Sequence, residues 1–494
     1  MKKLYKATAI MGVSTFVAMA IGILRAKFLA ITLGPSGVGI FSQAVTFFQS
    51  AETICGLGIC LGLTKYVSEM WQKRNIAEVK KTIMASFVLQ VVAFFIFFIL
   101  IVIFSKQISQ FVFSSDQYSM ALILISGGVL FSILVTTLES TLLGLGRPDS
   151  FSKARIVYYL VGFAILAGLV GTMKLKGGFL YIALNYITSF LVVGAFLIYA
   201  LKSAIKLSFR SFIKGFLKLD FRFYFKKLLS YGVAVLGSAA VTWLAVLYIR
   251  SILIKEAGAS ANGFYQVVFA LTSYYSPFFT NGLWGYLFPK LSAIDNISHF
   301  NLEVNKAFRF IIIFAVPAIL ILFLIRKEVV LLIFSKEFLP SLALFPLYLS
   351  GSLFYMITCI LGNALLAKKE LKAFFTINLV QYLLYALLFT FLVRRVGLIA
   401  IAISYLATNI VGNILCGSFL IKKMKFSLKK DNVILLGLAV FVMGIILFVP
   451  LESILVISIK WVLVALWFLY AIRKREKALL RSFIRSRLPW KKSR

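Results

Sequence analysis

The sequence predicts an all-α polytopic membrane protein with about 14 transmembrane helices, in two six-helix lobes plus two C-terminal helices. Three observations predict it. Of the 494 residues, 61% are hydrophobic and only 14% charged. Apolar runs of about 18 to 27 residues, enough to span the hydrocarbon core, alternate with short charged connections. The chain also repeats internally. Because barrel strands would be about ten residues long and alternate, these runs indicate helices.

Fourteen spans follow from the apolar runs: 7-33, 38-63, 82-104, 119-143, 154-173, 178-201, 229-254, 263-288, 308-326, 342-366, 373-393, 397-421, 433-450 and 454-472. The first is too long for a cleaved signal peptide and is expected to be retained. Bases are distributed unequally around the spans, with forty of the 53 Lys and Arg in, or directly beside, the connections on one side. The positive-inside rule makes that side cytoplasmic, so both termini are expected there.

The segment 202-228 has a regular pattern, in which a base recurs every fourth residue from Lys202 to Lys226 among six phenylalanines. On a helix this gives a cationic stripe beside an aromatic face, which suits an anionic lipid surface. Docking of a partner protein is the alternative, and nucleic acid is not expected. The basic tail, 473–494, has the same two interpretations.

Matches at a nearly constant offset show that the chain contains a repeat. The segment 34–43 resembles 258–266, and 178–186 resembles 397–405. Lys65 and Lys290 occupy equivalent positions near the ends of the second span of each half. Six helices per repeat place both halves in the same orientation, with the substrate path between them. The predicted domains are an N-lobe (1-201), a basic linker (202-228), a C-lobe (229-421) and a C-terminal part (422-494) with two spans and the tail.

A few charges are not explained by topology. A base at membrane depth costs roughly 2.5–3.5 kcal/mol on insertion scales, so it usually faces a cavity or a partner. The candidates for a cationic substrate-binding cavity are Arg25, Lys27, Lys65, Arg250 and Lys290. A cavity with this lining prefers a polyanion, because arginine binds phosphate through two hydrogen bonds and lysine supplies a point charge.

Two acidic residues, Glu52 and Glu139, also fall inside spans. For each of these two residues the sequence leaves two alternatives: it carries a coupling H⁺ or Na⁺, or it forms an internal salt bridge. No metal site is expected, because the four cysteines lie inside spans without metal-site spacing and His299, the single histidine, lies in a connection. We also expect no cofactor, because neither a P-loop nor a catalytic His/Cys pair is present. A transporter is therefore predicted rather than an enzyme.

Two short motifs follow one another in the first half, Gly34-Pro-Ser-Gly-Val-Gly39 and Gly62-Leu-Thr-Lys-Tyr-Val-Ser68, and a related stretch occupies 231–294. In these residues the chain resembles the bacterial polysaccharide flippases of the Wzx type, the O-antigen translocases of the MATE-like MOP superfamily. The resemblance implies alternating access through a cationic cavity. It also implies that Arg25, nine residues before Gly34, is a cavity arginine, as in the related lipid II flippases.

The resemblance further implies the substrate, an undecaprenyl-diphosphate-linked oligosaccharide carried from the cytoplasmic to the periplasmic leaflet of the inner membrane. Implied partners are anionic lipids, a polysaccharide polymerase and glycosyltransferases, and a monomer is expected. Lipid II flippases carry an aspartate shortly after the first loop glycine, where this chain has Gly37, Val38 and Gly39. A lipid II flippase and a MATE-type multidrug exporter remain alternatives. A membrane polymerase or ligase is less favoured, because the predicted outer connections are short.

Overall fold

The computed structural model describes residues 2–202, 221–448 and 454–471. In these ranges the chain forms fifteen α-helices and three short 3₁₀ helices, and no β-strand. In chain order the α-helices are α1 (Lys2–Gly56), α2 (Ile59–Gln72), α3 (Ile76–Ile103), α4 (Ser105–Phe113), α5 (Ser119–Gly144), α6 (Pro148–Lys202), α7 (Phe221–Ala257), α8 (Ala259–Ala293), α9 (Ile297–Leu324), α10 (Arg326–Ile333), α11 (Phe345–Ala367), α12 (Leu371–Val396), α13 (Ala400–Met424), α14 (Lys430–Phe448) and α15 (Ile454–Ala471).

Nine stretches of the described residues are long and apolar enough to cross a membrane. Three of them, of 44, 51 and 54 residues, are about twice the length that one crossing needs. Each contains a residue with positive φ, where the helix breaks: Gly34 (φ 63°) in α1, Lys174 (φ 50°) in α6 and Gly397 (φ 61°) between α12 and α13. Positive φ is rare for residues other than glycine and ends a helix.

The chain reverses at these three positions. Arg25 and Glu52 line one cavity of 260 Å³, although a straight helix would separate them by about 40 Å. Tyr159 and Tyr186 line the same cavity from the two parts of α6. For the break at Gly397, Lys423 Nζ lies 2.8 Å from Glu370 Oε2, so the start of α12 and the end of α13 lie side by side. Three of the nine stretches thus correspond to two predicted spans each and the other six to one each, which accounts for twelve spans, and α8 and α15 correspond to the other two. The predicted polytopic helical fold is confirmed.

Two features differ from the predicted spans. Span 38-63 is not one helix, because Leu57 (φ 52°) and Gly58 (φ 63°) break it and α2 begins at Ile59. The short helices α4 and α10 fall in segments that were predicted as connections, except that Arg326 was the last residue of the predicted span 308-326. Each follows a long apolar helix, precedes a 3₁₀ helix and exposes an apolar side chain, Phe111 or Leu332. Short amphipathic helices of this kind suit a membrane surface.

The chain divides into two compact units. The first comprises Met1–Val267, Val330–Ser341 and Asn378–Ile401, and the second Val268–Val329, Leu342–Ile377 and Ala402–Arg494. These bounds differ from the predicted domains at 1-201, 202-228, 229-421 and 422-494, and the division into six-helix lobes stays a prediction. Most of the predicted linker and the whole basic tail lie outside the described residues.

The core of the first unit includes a cluster of buried side chains from α2, α3, α5 and α6, with Tyr224 from the start of α7. Tyr224 Oη donates to Glu78 Oε2 across 2.7 Å, so the last residues of the predicted linker already belong to a packed helix. In the second unit, α9 and α11 bury Ile311, Val316 and Leu353 completely. Asn305 Oδ1 there accepts from the Lys429 backbone N at 2.8 Å, which fixes the connection between α13 and α14.

Candidate functional site

A cavity of 260 Å³ lies inside the first unit, enclosed by α1, α5 and α6. Four charged side chains line it, and three of them, Arg25, Glu52 and Glu139, are residues that the sequence singles out. The fourth is Arg155. Uncharged polar side chains make up much of the remaining lining: Ser132, Thr136, Tyr158, Tyr159, Tyr181, Asn185, Tyr186 and Ser189.

The reversal of α1 at Gly34 brings Arg25 and Glu52 to this cavity from opposite directions along the chain. The Arg25 side chain is exposed, whereas Glu52 is half-buried. The Ser132 hydroxyl on α5 donates a short hydrogen bond to Glu52 Oε1. The hydrogen-bond partner of this carboxylate is therefore a neutral group.

Glu139 has a different environment. It is 9% exposed and accepts hydrogen bonds from Arg155, at 3.3 Å from Nε and 3.4 Å from Nη2. The Arg155 guanidinium also lies 4.6 Å from the centroid of the Phe151 ring. Of the two alternatives for the acidic residues, Glu139 thus has the geometry of an internal salt bridge and Glu52 does not.

The formal charges of the cavity balance, with two guanidinium groups against two carboxylates. This differs from the strongly cationic lining that the sequence led us to expect. Among the five predicted substrate-binding bases, Arg25 alone lines this cavity. A balanced lining with many hydroxyl and amide groups suits a polar ligand with both donors and acceptors, held near a single arginine that is not committed to Glu139.

The tyrosines and Asn185 are held by close helix packing. Tyr186 stacks on Phe48 of α1 with ring centroids 4.4 Å apart. Asn185 Oδ1 lies where a Cβ at Gly162 would project, so the glycine leaves room for the Asn185 amide beside the first part of α6. Tyr158 and Tyr159 pack together at 4.6 Å. Aromatic faces beside hydroxyl and amide groups are typical of a small-molecule site.

Lys27 is two residues from Arg25 on α1 but does not line the cavity. Its ammonium donates to two backbone carbonyls, that of Leu331 at 2.9 Å and that of Phe334 at 2.7 Å. These carbonyls end α10, where the last turn of a helix has unpaired acceptors and attracts a cation. In this structure, Lys27 therefore caps a helix.

Arg250 is 1% exposed and lies in a hydrogen-bonded network. Its Nη1 donates to Ser42 Oγ at 3.0 Å and to Asn262 Oδ1 at 3.1 Å, and Nη2 donates to Gln266 Oε1 at 2.6 Å. The guanidinium also lies 4.6 Å from the ring centroid of Tyr265. In this conformation these donors face protein groups.

The equivalent lysines of the repeat both lie beside acids. Lys65 is exposed and has its Nζ 3.9 Å from Glu69 Oε1. Lys290 Nζ lies 2.7 Å from Glu303 Oε2 and donates to the Tyr286 hydroxyl at 2.5 Å. The hydrogen bond to Glu303 raises the pKa of Lys290. A direct substrate contact stays a prediction for these lysines, as it does for Lys27 and Arg250.

Sequence reasoning missed Arg155 and the tyrosines. Arg155 stands near the predicted cytoplasmic end of its span, where a base is explained by topology alone. Its spacing from Glu139 crosses a connection, so helical periodicity does not pair them. Tyr158 and Tyr159 follow Arg155 within about one helical turn, and this was the available signal. Within the described ranges, no three His, Cys, Asp or Glu side chains gather as a metal site.

The fold and the cavity together define a polytopic helical membrane protein with a polar, charge-balanced cavity inside one helical unit. The family is shown by sequence: residues 4–295 match the family described as "Polysaccharide biosynthesis protein", and the chain belongs to that family. The predicted resemblance to polysaccharide flippases is thereby confirmed at the level of the family.

Two curated relatives are similar along most of the chain. The Lipid III flippase of Escherichia coli (strain K12) is 24% identical over 428 residues, which cover 85% of this chain and 98% of the relative. The Lipid III flippase of Shigella flexneri gives the same figures. These matches agree with the predicted class, a transporter rather than an enzyme.

Solved structures show the same fold. The lipid II flippase MurJ in an inward closed conformation superposes with a TM-score of 0.64 at 16% identity, covering 96% of this chain and all of MurJ. The MATE multidrug transporter DinF-BH has a TM-score of 0.63 at 14% identity, covering 85% of this chain and 95% of the transporter. At these identities the likeness concerns the fold alone.

Proposed function

We propose that the protein is a flippase that moves an undecaprenyl-diphosphate-linked oligosaccharide from the cytoplasmic to the periplasmic leaflet by alternating access. The cargo would be an O-antigen or related repeat unit of a surface polysaccharide. The membership in the polysaccharide biosynthesis family supports this, as does the similarity to a Lipid III flippase over 98% of that protein. The location would be the inner membrane, with both termini cytoplasmic.

The observation that carries the proposal is Arg25 in a membrane-embedded cavity. A diphosphate needs charge and directed donors, and a guanidinium supplies both because it donates two parallel hydrogen bonds to phosphate oxygens. Arg155 is bound to Glu139, and we assign this role to Arg25, whose side chain is exposed at the cavity. The prenyl chain is apolar and would stay in the lipid while the headgroup crosses.

The balanced charge of the cavity suits the sugar part of such a cargo. Sugar hydroxyls both donate and accept, and the cavity offers carboxylate acceptors together with tyrosine, serine and asparagine groups. In this proposal Arg25 holds the diphosphate, and the tyrosine side of the cavity contacts the first sugar. A cavity of 260 Å³ is at the small end for a ligand pocket, so it would hold part of the headgroup at a time.

Coupling to an H⁺ or Na⁺ gradient would use Glu52. Its hydrogen-bond partner is the neutral hydroxyl of Ser132, whereas Glu139 is neutralised by Arg155. A carboxylate at membrane depth beside a neutral partner can exchange a proton or bind a cation during the cycle. Anionic lipids would hold the basic linker and tail, and a polymerase and glycosyltransferases would act on the same cargo.

A display assay tests the proposal. In cells that lack their own flippase, the wild-type chain restores surface glycan, and Arg25→Ala does not, although it inserts normally. Arg395→Ala is the matched control, because Arg395 is exposed and packs on Phe391 outside the cavity. Normal display by Arg25→Ala would contradict the assignment of the site.

The two cavity carboxylates make a MATE-type exporter of organic cations the second candidate, because such cargo needs acids in the cavity. The neutralisation of Glu139 by Arg155 argues against it. Drug resistance conferred by the wild-type chain and lost in Glu52→Gln would favour this alternative.

A further inference from the structure

In a second region of the first unit, the backbones of two helical segments are in direct contact. The part of α1 after its reversal, residues 35–50, packs against residues 243–266 of α7 and α8, and we call this contact the seam. Any side chain at Gly39 would overlap the backbone carbonyl of Ala259, and any side chain at Gly263 would overlap that of Pro35. The two backbones therefore touch, which only glycine permits.

The seam has an approximate two-fold symmetry that follows from the sequence repeat. Gly39 and Gly263 are equivalent in the repeat, and the same offset of 224 relates Pro35 to Ala259. Each glycine thus meets the residue equivalent to the one that its counterpart meets. Reciprocal contacts of this kind are the mark of a two-fold interface. The two repeats meet at the seam through the same short segment of each.

Hydrogen bonds across the seam are numerous. Asn262 Nδ2 donates to the Gly39 carbonyl at 2.7 Å. Gln43 Nε2 donates to Ser251 Oγ at 2.9 Å, and Ser50 Oγ to the Trp243 carbonyl at 3.2 Å. Small residues and polar side chains thus join the two segments at these points, and their separation would break several hydrogen bonds at once.

Arg250 breaks the symmetry. It binds Ser42 from the first repeat and, at the same time, Asn262 and Gln266 from the second. Separation of the two segments would withdraw Ser42 from a guanidinium that is 1% exposed. A buried charge tolerates the loss of a hydrogen-bond partner poorly, so Arg250 resists this separation more than any neutral side chain would.

Alternating access requires a gate that closes each membrane face in turn, and we take the seam as the gate on the face opposite the N-terminus. We propose that Arg250 is the latch of this gate, a positioning residue rather than a substrate contact. The gate lies on that face because the chain crosses once before it reverses at Gly34. The proposal rests on the proposed function, since a flippase must open on that face to release its cargo. It assigns to Arg250 a role in the timing of release.

The first experiment measures opening without any substrate. In a chain whose four cysteines are replaced by serine, Thr46→Cys is the reporter, because Thr46 is 3% exposed and its hydroxyl donates within its own helix, to the Ser42 carbonyl. A membrane-impermeant maleimide is applied to the face opposite the N-terminus. Arg250→Ala should raise the labelling rate about tenfold, as a shift of about 1.4 kcal/mol in the gate equilibrium gives.

Arg395→Ala is the matched control, because Arg395 is exposed and its guanidinium lies 4.1 Å from the ring centroid of Phe391, outside the seam segments. Asn262→Ala keeps the arginine, removes one of its partners and should also raise the labelling rate. It tests the latch even when Arg250→Ala does not fold. Labelling by Arg250→Ala and Asn262→Ala at the rate of the control would overturn the latch.

The second experiment closes the gate covalently. Ser42 Oγ and Asn262 Nδ2 lie 3.4 Å apart, so Ser42→Cys with Asn262→Cys should form a disulfide on oxidation. The oxidised protein should lose reconstituted transport, and reduction should restore it to the rate of the Ser42→Cys and Asn262→Cys single variants, each of which also lacks one partner of Arg250. Undiminished transport by the cross-linked protein would overturn the gate while leaving the proposed function intact. Failure of the reduced protein and of the wild type to transport would count against the proposed function, and the labelling result would still decide the gate.

Discussion

Arg155 on α6 donates hydrogen bonds to both carboxylate oxygens of Glu139 on α5, at 3.3 and 3.4 Å. This pair neutralises one of the two acids of the cavity and leaves Glu52 with a neutral partner. It also engages one of the two arginines that line the cavity, and the proposed function assigns the contact with an anionic cargo to the other, Arg25.

Removal of either partner should destabilise the protein. The Arg155 side chain is 38% exposed and that of Glu139 11%, so the coupling should be ~1–3 kcal/mol, between the values for surface and buried pairs. Thermal unfolding in detergent of Glu139→Gln, Arg155→Gln and the double variant measures it. Additive losses in that cycle would show that the two groups do not interact.

Alanine substitutions at two glycines of α6, Gly162 and Gly168, should change the stability of the protein in opposite directions. Gly162→Ala should lower the melting temperature, because the new Cβ would overlap Asn185 Oδ1 and displace that amide from its packed position. Gly168→Ala has open space around its Cβ and should raise helix stability by up to about 1 kcal/mol. Equal melting temperatures for the two variants would contradict the close packing around the cavity.

Lys27→Ala should loosen the end of α10 by removing two hydrogen bonds from a charged donor, worth about 1.5–3 kcal/mol each. Hydrogen exchange of the amides at 331–335 should therefore become faster. Lys255→Ala, at an exposed position in the last turn of α7, is the control. Unchanged exchange in Lys27→Ala would contradict the role of Lys27 as a cap of α10.

Glu52→Gln should abolish the dependence of transport on an H⁺ or Na⁺ gradient while leaving the protein folded, because the amide neither titrates nor carries charge. Glu52→Asp keeps an ionisable group and should retain part of the response. Transport in vesicles with and without an imposed gradient measures both. A gradient response that survives in Glu52→Gln would place the coupling site elsewhere.

Much of the fold could be predicted from the sequence, because the length of an apolar run is a property of a single segment and sets how many helices can span the membrane. The break at Leu57 and Gly58 and the helices α4 and α10 were harder to foresee. An apolar run continues through the break, and the two short helices are too short to register as spans.

The cavity was predictable only in part. Depth in the membrane pointed to Arg25, Glu52 and Glu139, but it carries no information about how a helix is rotated. That rotation turns Lys27 towards α10 and Arg250 into the seam, although both stand in segments that the sequence associates with substrate. Arg155 could not be identified from the sequence, because the positive-inside rule already accounts for a base near the predicted cytoplasmic end of a helix.

The most direct test of the account is transport of a defined undecaprenyl-diphosphate-linked oligosaccharide in proteoliposomes. The wild-type protein should move it faster than protein-free vesicles do, and Arg25→Ala should be slower by about tenfold or more, since the loss of a bidentate phosphate contact costs at least about 1.4 kcal/mol. Arg395→Ala should match the wild type. Equal rates for the wild type and Arg25→Ala, or no transport above that of empty vesicles, would contradict the account.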